Sequence, residues 1–298
     1  MEYKKRNFFL LEYLGRSLVT LCGLLMIVIT IAIIVFIVSK GIRSFTQNHI
    51  SLFDMLFSKN WSPNNPTNPS FGAVIFIVGS ILVSIGAVII AAPIAISLAV
   101  FTNYISPKFG EKILKPVLEV LVGIPSVVYG FLGVTLLIPF IRNTVGGVGF
   151  SLFAGIIVLS IMILPTIASI ASDAVRAVPK DYLEASYGLG STRWQAIRLA
   201  IVPAAKTNIL TAIVLGLARA FGEALAVQMV IGNTVKIPKG LFDQTVTLTG
   251  ILTMDMANTM NGTAWNNALW TLAMILLLIS FLFILVIRLI GRSGGKRA

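Results

Sequence analysis

The sequence predicts an all-α integral membrane protein with six transmembrane helices and both ends in the cytoplasm. Three observations carry this. Of 298 residues, 57% are hydrophobic and 11% are charged, whereas a soluble domain has about 25% charged residues. So few ionic groups cannot cover a water-facing surface. Six runs reach the roughly 20 apolar residues that a helix needs to cross a bilayer. Basic residues are also unevenly distributed between the segments joining those runs. The same composition excludes a disordered chain. A single cysteine, Cys22, excludes a disulfide-stapled scaffold, and a single histidine, His49, excludes a histidine-built metal enzyme.

The elements follow in order. Residues 1–17 hold Lys4, Lys5, Arg6 and Arg16 and form a cytoplasmic N-terminus. The first span, Leu18 to Val38, is uncharged and includes Cys22. Its apolar core exceeds a signal peptide's 7–15 residues and no clear small-x-small site follows, so it reads as an uncleaved anchor. An external loop, 39–70, comes next. From Phe71 to Thr102, and on to Ile105, the chain is again uncharged, with Pro93 inside. Two short spans here would place 15 basic residues outside and violate the positive-inside rule. One span with a helical extension is expected, with Pro93 at a kink or boundary; the continuity of 71–105 stays open. The third span is Val117 to Ile141, with Glu119 near its cytoplasmic end, and the fourth is Ser151 to Ser172. The fifth, Thr207 to Gly232, carries Arg219 and Glu223, and the sixth, Trp265 to Ile290, only Arg288. Residues 291–298 form a cytoplasmic tail. In this arrangement sixteen of the 23 basic residues lie inside, six outside, and Arg219 within the membrane. The net charge of +12 is therefore an orientation signal and not a sign of nucleic-acid binding.

No phosphate-binding loop of the form G-x-x-x-x-G-K-[ST] is present; Gly294-Gly295-Lys296 is followed by Arg297 and fails the pattern. Gly146-Gly147-Val148-Gly149 reads as a tight turn between helices, and Asn261-Gly262-Thr263 as a chance sequon. One histidine and one cysteine in different segments build no nucleophilic set. The chain is expected not to be an enzyme.

The cytoplasmic connection from about 173 to 206 reads as a helix, a glycine break and a second helix. Pro179 suits a first turn, with Asp181 and Glu184 near its positive end. Gly188 and Gly190 end that helix. Ser191 or Thr192 can cap the next, and Pro203 is expected to stop it before the fifth span. Glu184-Ala185-Ser186, then Gly190 and Pro203, resembles the EAA loop of ABC-importer permeases. Ser186, Ala200 and Val202 stand where that pattern has Ala, Ile and Leu.

Within the fifth span Arg219 and Glu223 are four apart and are expected to share a helix face. They form either a self-neutralising pair or part of a pathway. Arg before Glu is the weaker order for helix support, and Gly222 between them would thin the helix for a close approach. A guanidinium presents a planar fork to oxyanions. The run Leu217-Ala-Arg-Ala-Phe-Gly-Glu-Ala-Leu-Ala-Val227, with Ile231-Gly232-Asn233, resembles the Arg-Ala-x-Gly-Glu stretch of phosphate permeases. Ala224 replaces a common Thr. Phe71-Gly72-Ala73, Glu119 to Gly130 and Met162 to Ser169 add to the likeness over about 70–290. The resemblance is to the PstC-type subunit of the phosphate-specific transport family.

That resemblance implies the type I ABC importer permease (MetI-like) fold, with 71–290 as a permease core of five spans, in a bacterial cytoplasmic membrane. It implies half of a translocation pathway for inorganic phosphate, with Arg219, Glu223, Gly222 and Ser126 as pathway or gating residues. Glu184, Ala185, Gly190 and Pro203 would couple to a separate ATPase. Expected partners are a homologous PstA-type permease, two cytosolic ABC ATPase subunits and an external phosphate-binding protein, with ATP and Mg bound by the ATPase. Other oxyanions (molybdate, sulfate) and an autonomous channel or secondary transporter are the alternatives. Glu119 is either an interfacial carboxylate near Lys115 or a pathway group. Ser126 and Tyr129 bond either an anion or a neighbouring helix.

Overall fold

The computed structural model describes residues 2–65 and 67–294, with side chains for 15–65 and 67–289. The basic residues Lys4, Lys5, Arg6, Arg292, Lys296 and Arg297 thus lie outside the described side chains. Among the described residues, six helical stretches are long and apolar enough to cross a bilayer: Gly15–Thr46, Val74–Ile105, Ser126–Thr144, Leu152–Arg176, Arg193–Phe221 and Ala264–Leu289. They are the first to sixth spans below. An even number of crossings returns the chain to its starting side.

The second span runs unbroken through Pro93 and finishes in a π-helical turn, Phe101–Ile105. Two other expected spans are not single helices. The third is interrupted: helix Lys115–Gly123 ends, Ile124 and Pro125 are extended, and a new helix starts at Ser126. The extended residue before Pro125 is the conformation that a proline imposes on its predecessor. The fifth ends at Phe221, and a separate helix, Leu225–Ile231, follows.

Pro203 does not stop the hairpin's second helix. A π-helical turn, Ile197–Ile201, precedes it, and the helix continues through Val202–Phe221. The same device recurs at Pro116 after Gly110–Leu114 and at Pro139 after Gly133–Leu137. Each proline stands second in the α-helix that follows a π turn. A proline ring clashes with the carbonyl four residues back and offers no N–H. A widened turn removes both conflicts without breaking the rod.

The core lies between the second and fourth spans. Ala87, Ala91, Ala95 and Ala99, all buried, recur every fourth residue along the second. Small side chains there let the helices approach closely, and the Ser160 hydroxyl donates to the Ala87 carbonyl at 3.2 Å. A second cluster, including Phe76, Leu248, Leu269 and Leu272, joins the outer ends of the second and sixth spans. The segment after Gly232 is not a plain external loop: Leu248–Asp255 is a helix with Leu248, Thr249, Gly250 and Ile251 buried. Gly79 makes this possible, because a Cβ there would lie 2.2 Å from the Val246 carbonyl oxygen. The Leu248 N–H donates to the Ser80 hydroxyl at 2.9 Å. The first span meets the rest of the chain at its outer end, where the Thr271 hydroxyl donates to the Gly41 carbonyl at 2.7 Å and Phe36 packs edge-on to Trp270.

Candidate functional site

The cytoplasmic hairpin is built by local rules. Its first helix, Lys180–Gly188, begins after Pro179 with Asp181 in its first turn. Gly190 closes it in the left-handed region at φ +79°, which a side chain makes strained. Thr192, not Ser191, caps the second helix. Its hydroxyl accepts from the Gln195 N–H while Gln195 Oε1 accepts from the Thr192 N–H at 2.8 Å, a reciprocal capping box. Ser191 instead turns back to Ser186, the two hydroxyls lying 2.7 Å apart. The residue that departs from the Glu-Ala-Ala pattern is therefore the one that staples the hairpin. Glu184 and Ala185 are exposed, and Leu189 at the tip is 90% exposed.

The membrane-embedded charges are arranged differently from expectation. Glu223 lies beyond the end of the helix that carries Arg219, so the two do not share a helix face. Arg219 donates through Nη1 to the Thr166 hydroxyl of the fourth span. Glu223 Oε1 accepts from the Ala226 N–H at 3.1 Å, and its carbonyl accepts from the Thr249 hydroxyl at 2.7 Å. The carboxylate thus caps the short helix Leu225–Ile231, where negative charge is favourable. Gly222 does not admit a close neighbour: a Cβ there would meet only Ala218 and Arg219 carbonyls, at 3.7 and 3.8 Å. Its place is the end of the Arg219 helix.

Ser126 opens the third span and is half-buried. Tyr129, buried, donates to the Leu121 carbonyl at 2.8 Å and bridges the break at Pro125. Glu119 and Lys115 both line a cytoplasmic cavity of about 720 Å³, as do Glu184 of the hairpin and Ser169 of the fourth span. Ser169 is three residues, about one turn, from Thr166. The cavity is thus lined by the hairpin and, along the fourth span, comes within about one turn of Thr166, while Thr166 and Arg219 themselves do not line it.

Reading the sequence missed Thr166, Thr249 and Arg193. Thr166 offered a signal, a hydroxyl after Pro165 in an otherwise apolar run. Thr249 offered none, because its value depends on a chain 26 residues away.

Residues 91–293 match the family described as "Binding-protein-dependent transport system inner membrane component". Among curated proteins, the chain is 53% identical over 278 residues (93% of this chain, 90% of the other) to a probable ABC transporter permease protein, YqgH, of Bacillus subtilis. It is 33% identical over 256 residues (79% and 77%) to the phosphate transport system permease protein PstC of Mesorhizobium japonicum. Among solved structures, a chain of the MetNI methionine ABC transporter in an inward-facing conformation superposes with TM-score 0.52 at 21% identity, covering 71% of this chain and 91% of that one. A chain of an amino acid ABC transporter superposes with TM-score 0.53 at 20% identity, covering 73% and 92%.

Proposed function

The chain belongs to the binding-protein-dependent transport system inner membrane component family, and from that premise we propose that its cargo is inorganic phosphate. It is the membrane-spanning subunit of an ABC importer, a multi-pass protein of the bacterial cytoplasmic membrane, with the fold of those permeases. In the proposed reading it forms half of the pathway. A PstA-type permease supplies the other half, two cytosolic ATPase chains bind ATP and Mg, and an external phosphate-binding protein delivers the anion.

One observation carries the cargo assignment. Arg219 is half-buried in a span, and its bonded partner, Thr166, is a neutral hydroxyl. A charge inside the bilayer is costly, roughly 2.5–3.5 kcal/mol on insertion scales, and is kept where it faces a cavity or partner. Glu223 is engaged in capping a different helix. The guanidinium is thus left to a mobile anion, and its fork suits phosphate oxygens. The likeness to PstC permeases supports the same reading.

In this reading Glu223 and Gly222 fix the break beyond Arg219, and Ser126 adds a hydroxyl at the start of the third span. The hairpin residues Glu184, Ala185 and Gly190 meet the ATPase, and Pro203, at the start of the fifth-span helix, joins the hairpin to the Arg219 helix.

The test is uptake into vesicles holding the co-purified assembly. ATP-dependent phosphate uptake is expected, resistant to excess sulfate or molybdate. Preferential uptake of either competitor would overturn the cargo assignment. Flux through this chain without ATPase subunits would favour a channel or secondary transporter.

A further inference from the structure

The cytoplasmic end of the second span is tied down at three consecutive residues. The Asn103 side chain donates to the Ser172 hydroxyl of the fourth span at 2.7 Å and to the Ala99 carbonyl at 2.8 Å. The Tyr104 hydroxyl donates to the Val175 carbonyl at 3.4 Å. The last carbonyls of a helix have no partner within it. Here those of Tyr104 and Ile105 accept from the guanidinium of Arg193, at 3.2 Å for Ile105. A positive charge suits that end of the helix dipole.

Arg193 is the first residue of the hairpin's second helix, directly after the capping Thr192. The hairpin's own tip is stiff, held by the Ser186–Ser191 pair and the capping box. A stiff unit that moves must carry Arg193 with it, and the Ile105 and Tyr104 carbonyls with Arg193. The second span then passes the displacement to the fourth through the alanine-lined core.

We propose that Arg193 is a positioning residue that links hairpin movement to the cytoplasmic ends of the second and fourth spans, so that ATP-driven motion at the hairpin reaches the pathway. This rests on the hairpin being the ATPase docking element. It adds a residue outside the Glu184-Ala185, Gly190, Pro203 set and names the span that it pulls.

The experiment uses the full assembly with its ATPase chains in vesicles, and reads three quantities: ATPase co-purification, ATP hydrolysis, and ATP consumed per anion taken up. The wild-type assembly comes first, with phosphate, sulfate and molybdate in turn as the anion. Absence of ATPase chains or of ATP-dependent uptake there would defeat the docking reading itself, before any variant is compared. With Arg193→Gln, ATPase chains should co-purify normally and hydrolysis should stay within about twofold. Uptake should fall about tenfold, as loss of a charge-assisted hydrogen bond allows, so the ATP-to-anion ratio rises by a similar factor. Arg193→Lys, which keeps the charge with a single donor group, should recover part of the ratio. A wild-type ratio in Arg193→Gln overturns the proposal. Loss of co-purification also overturns it, because Arg193 would then be a docking contact. If Arg193→Gln does not accumulate in the membrane, Arg193→Lys decides on the same ratio: an intermediate value supports the link, and a wild-type value overturns it.

Discussion

The cytoplasmic hairpin and the membrane break at Gly222 are both helix–turn–helix elements, yet the turn of the first is set mainly by local bonds and that of the second mainly by distant ones. In the hairpin, Ser186 bonds Ser191 and Thr192 bonds Gln195, partners three to five residues apart. At the break, Arg219 takes Thr166, 53 residues away, and the Glu223 carbonyl takes Thr249, 26 residues away. In water a turn can be specified by its own residues, because solvent satisfies whatever they leave open. Inside a bilayer no solvent is available, so interrupted backbone and charge must find protein partners wherever the fold brings them. The hairpin's turn is therefore set by its own residues, with Arg193 as its tether to the second span, whereas the break itself is anchored to distant parts of the chain.

Replacing Arg219 attacks the anchored region where the effect should be largest. Arg219→Ala is expected to reduce uptake by about 100-fold or more, the scale of losing a positioned charged group, with ATPase co-purification intact. Retained uptake would return Arg219 to a structural role. The local region has its own decisive residue in Gly190. Gly190→Val forces a β-branched residue to φ +79°, a strain of about 1–2 kcal/mol. Co-purification of ATPase chains should drop sharply while the chain still inserts; normal recovery would mean that tip geometry does not govern docking.

Glu223 can be separated into cap and charge. Glu223→Gln keeps an oxygen for the Ala226 N–H and removes the charge; Glu223→Leu removes both. If capping is its whole contribution, Gln should leave uptake within about twofold and Leu should lower it several-fold, on the scale of about 1 kcal/mol for a lost cap. Equal losses in both variants would assign the effect to the charge.

Two threonines sharpen the local–distant comparison at smaller cost. Thr192→Ala and Thr249→Val each remove a hydroxyl that makes two hydrogen bonds, a loss of about 1 kcal/mol or somewhat more. Thr192→Ala should raise protease sensitivity of the hairpin alone. Thr249→Val should lower the thermal midpoint of the whole chain in detergent. Matching footprints in the two variants would contradict the distinction.

Asp243, in the outer segment, gives the smallest effect. The backbone N–H of Lys239 foremost holds its carboxyl below the ordinary aspartate value; burial opposes it next, and the Gly240 N–H and the charges of Lys236 and Lys239 add to the lowering. A depressed carboxyl stabilises the loop above its unfolded value and ceases to do so as the pH falls through the folded one. Protease cutting within 236–244 should rise only at pH below the ordinary aspartate range, and Asp243→Asn should abolish that dependence.

Legibility followed the same division. The hairpin's helices, Gly190 turn and cap were readable because capping and left-handed turns are short-range chemistry. The choice of Thr192 over Ser191 was not, since both have the same hydroxyl and only the Ser186 contact separates them. Pro203 misled because a proline announces a conflict with the turn before it but not its resolution. The π turn at Ile197–Ile201 resolved it without a break. Arg219 and Glu223 were found by their cost in the membrane, but their shared face was an inference from unbroken periodicity, which Gly222 ends.

What the sequence determined by itself was the solvent, the six crossings, their orientation and the hairpin. Transfer of apolar side chains from water, the placement of Lys and Arg, and local capping are each properties of a short stretch of chain. Only the tertiary structure decided that the third and fifth spans are interrupted, that Leu248–Asp255 folds back into the core, and that Thr166, Thr249 and Arg193 hold the ends that matter. Those choices turn on which distant group satisfies a carbonyl, an amide or a guanidinium in a medium that offers no water, and that pairing exists only once the spans have packed.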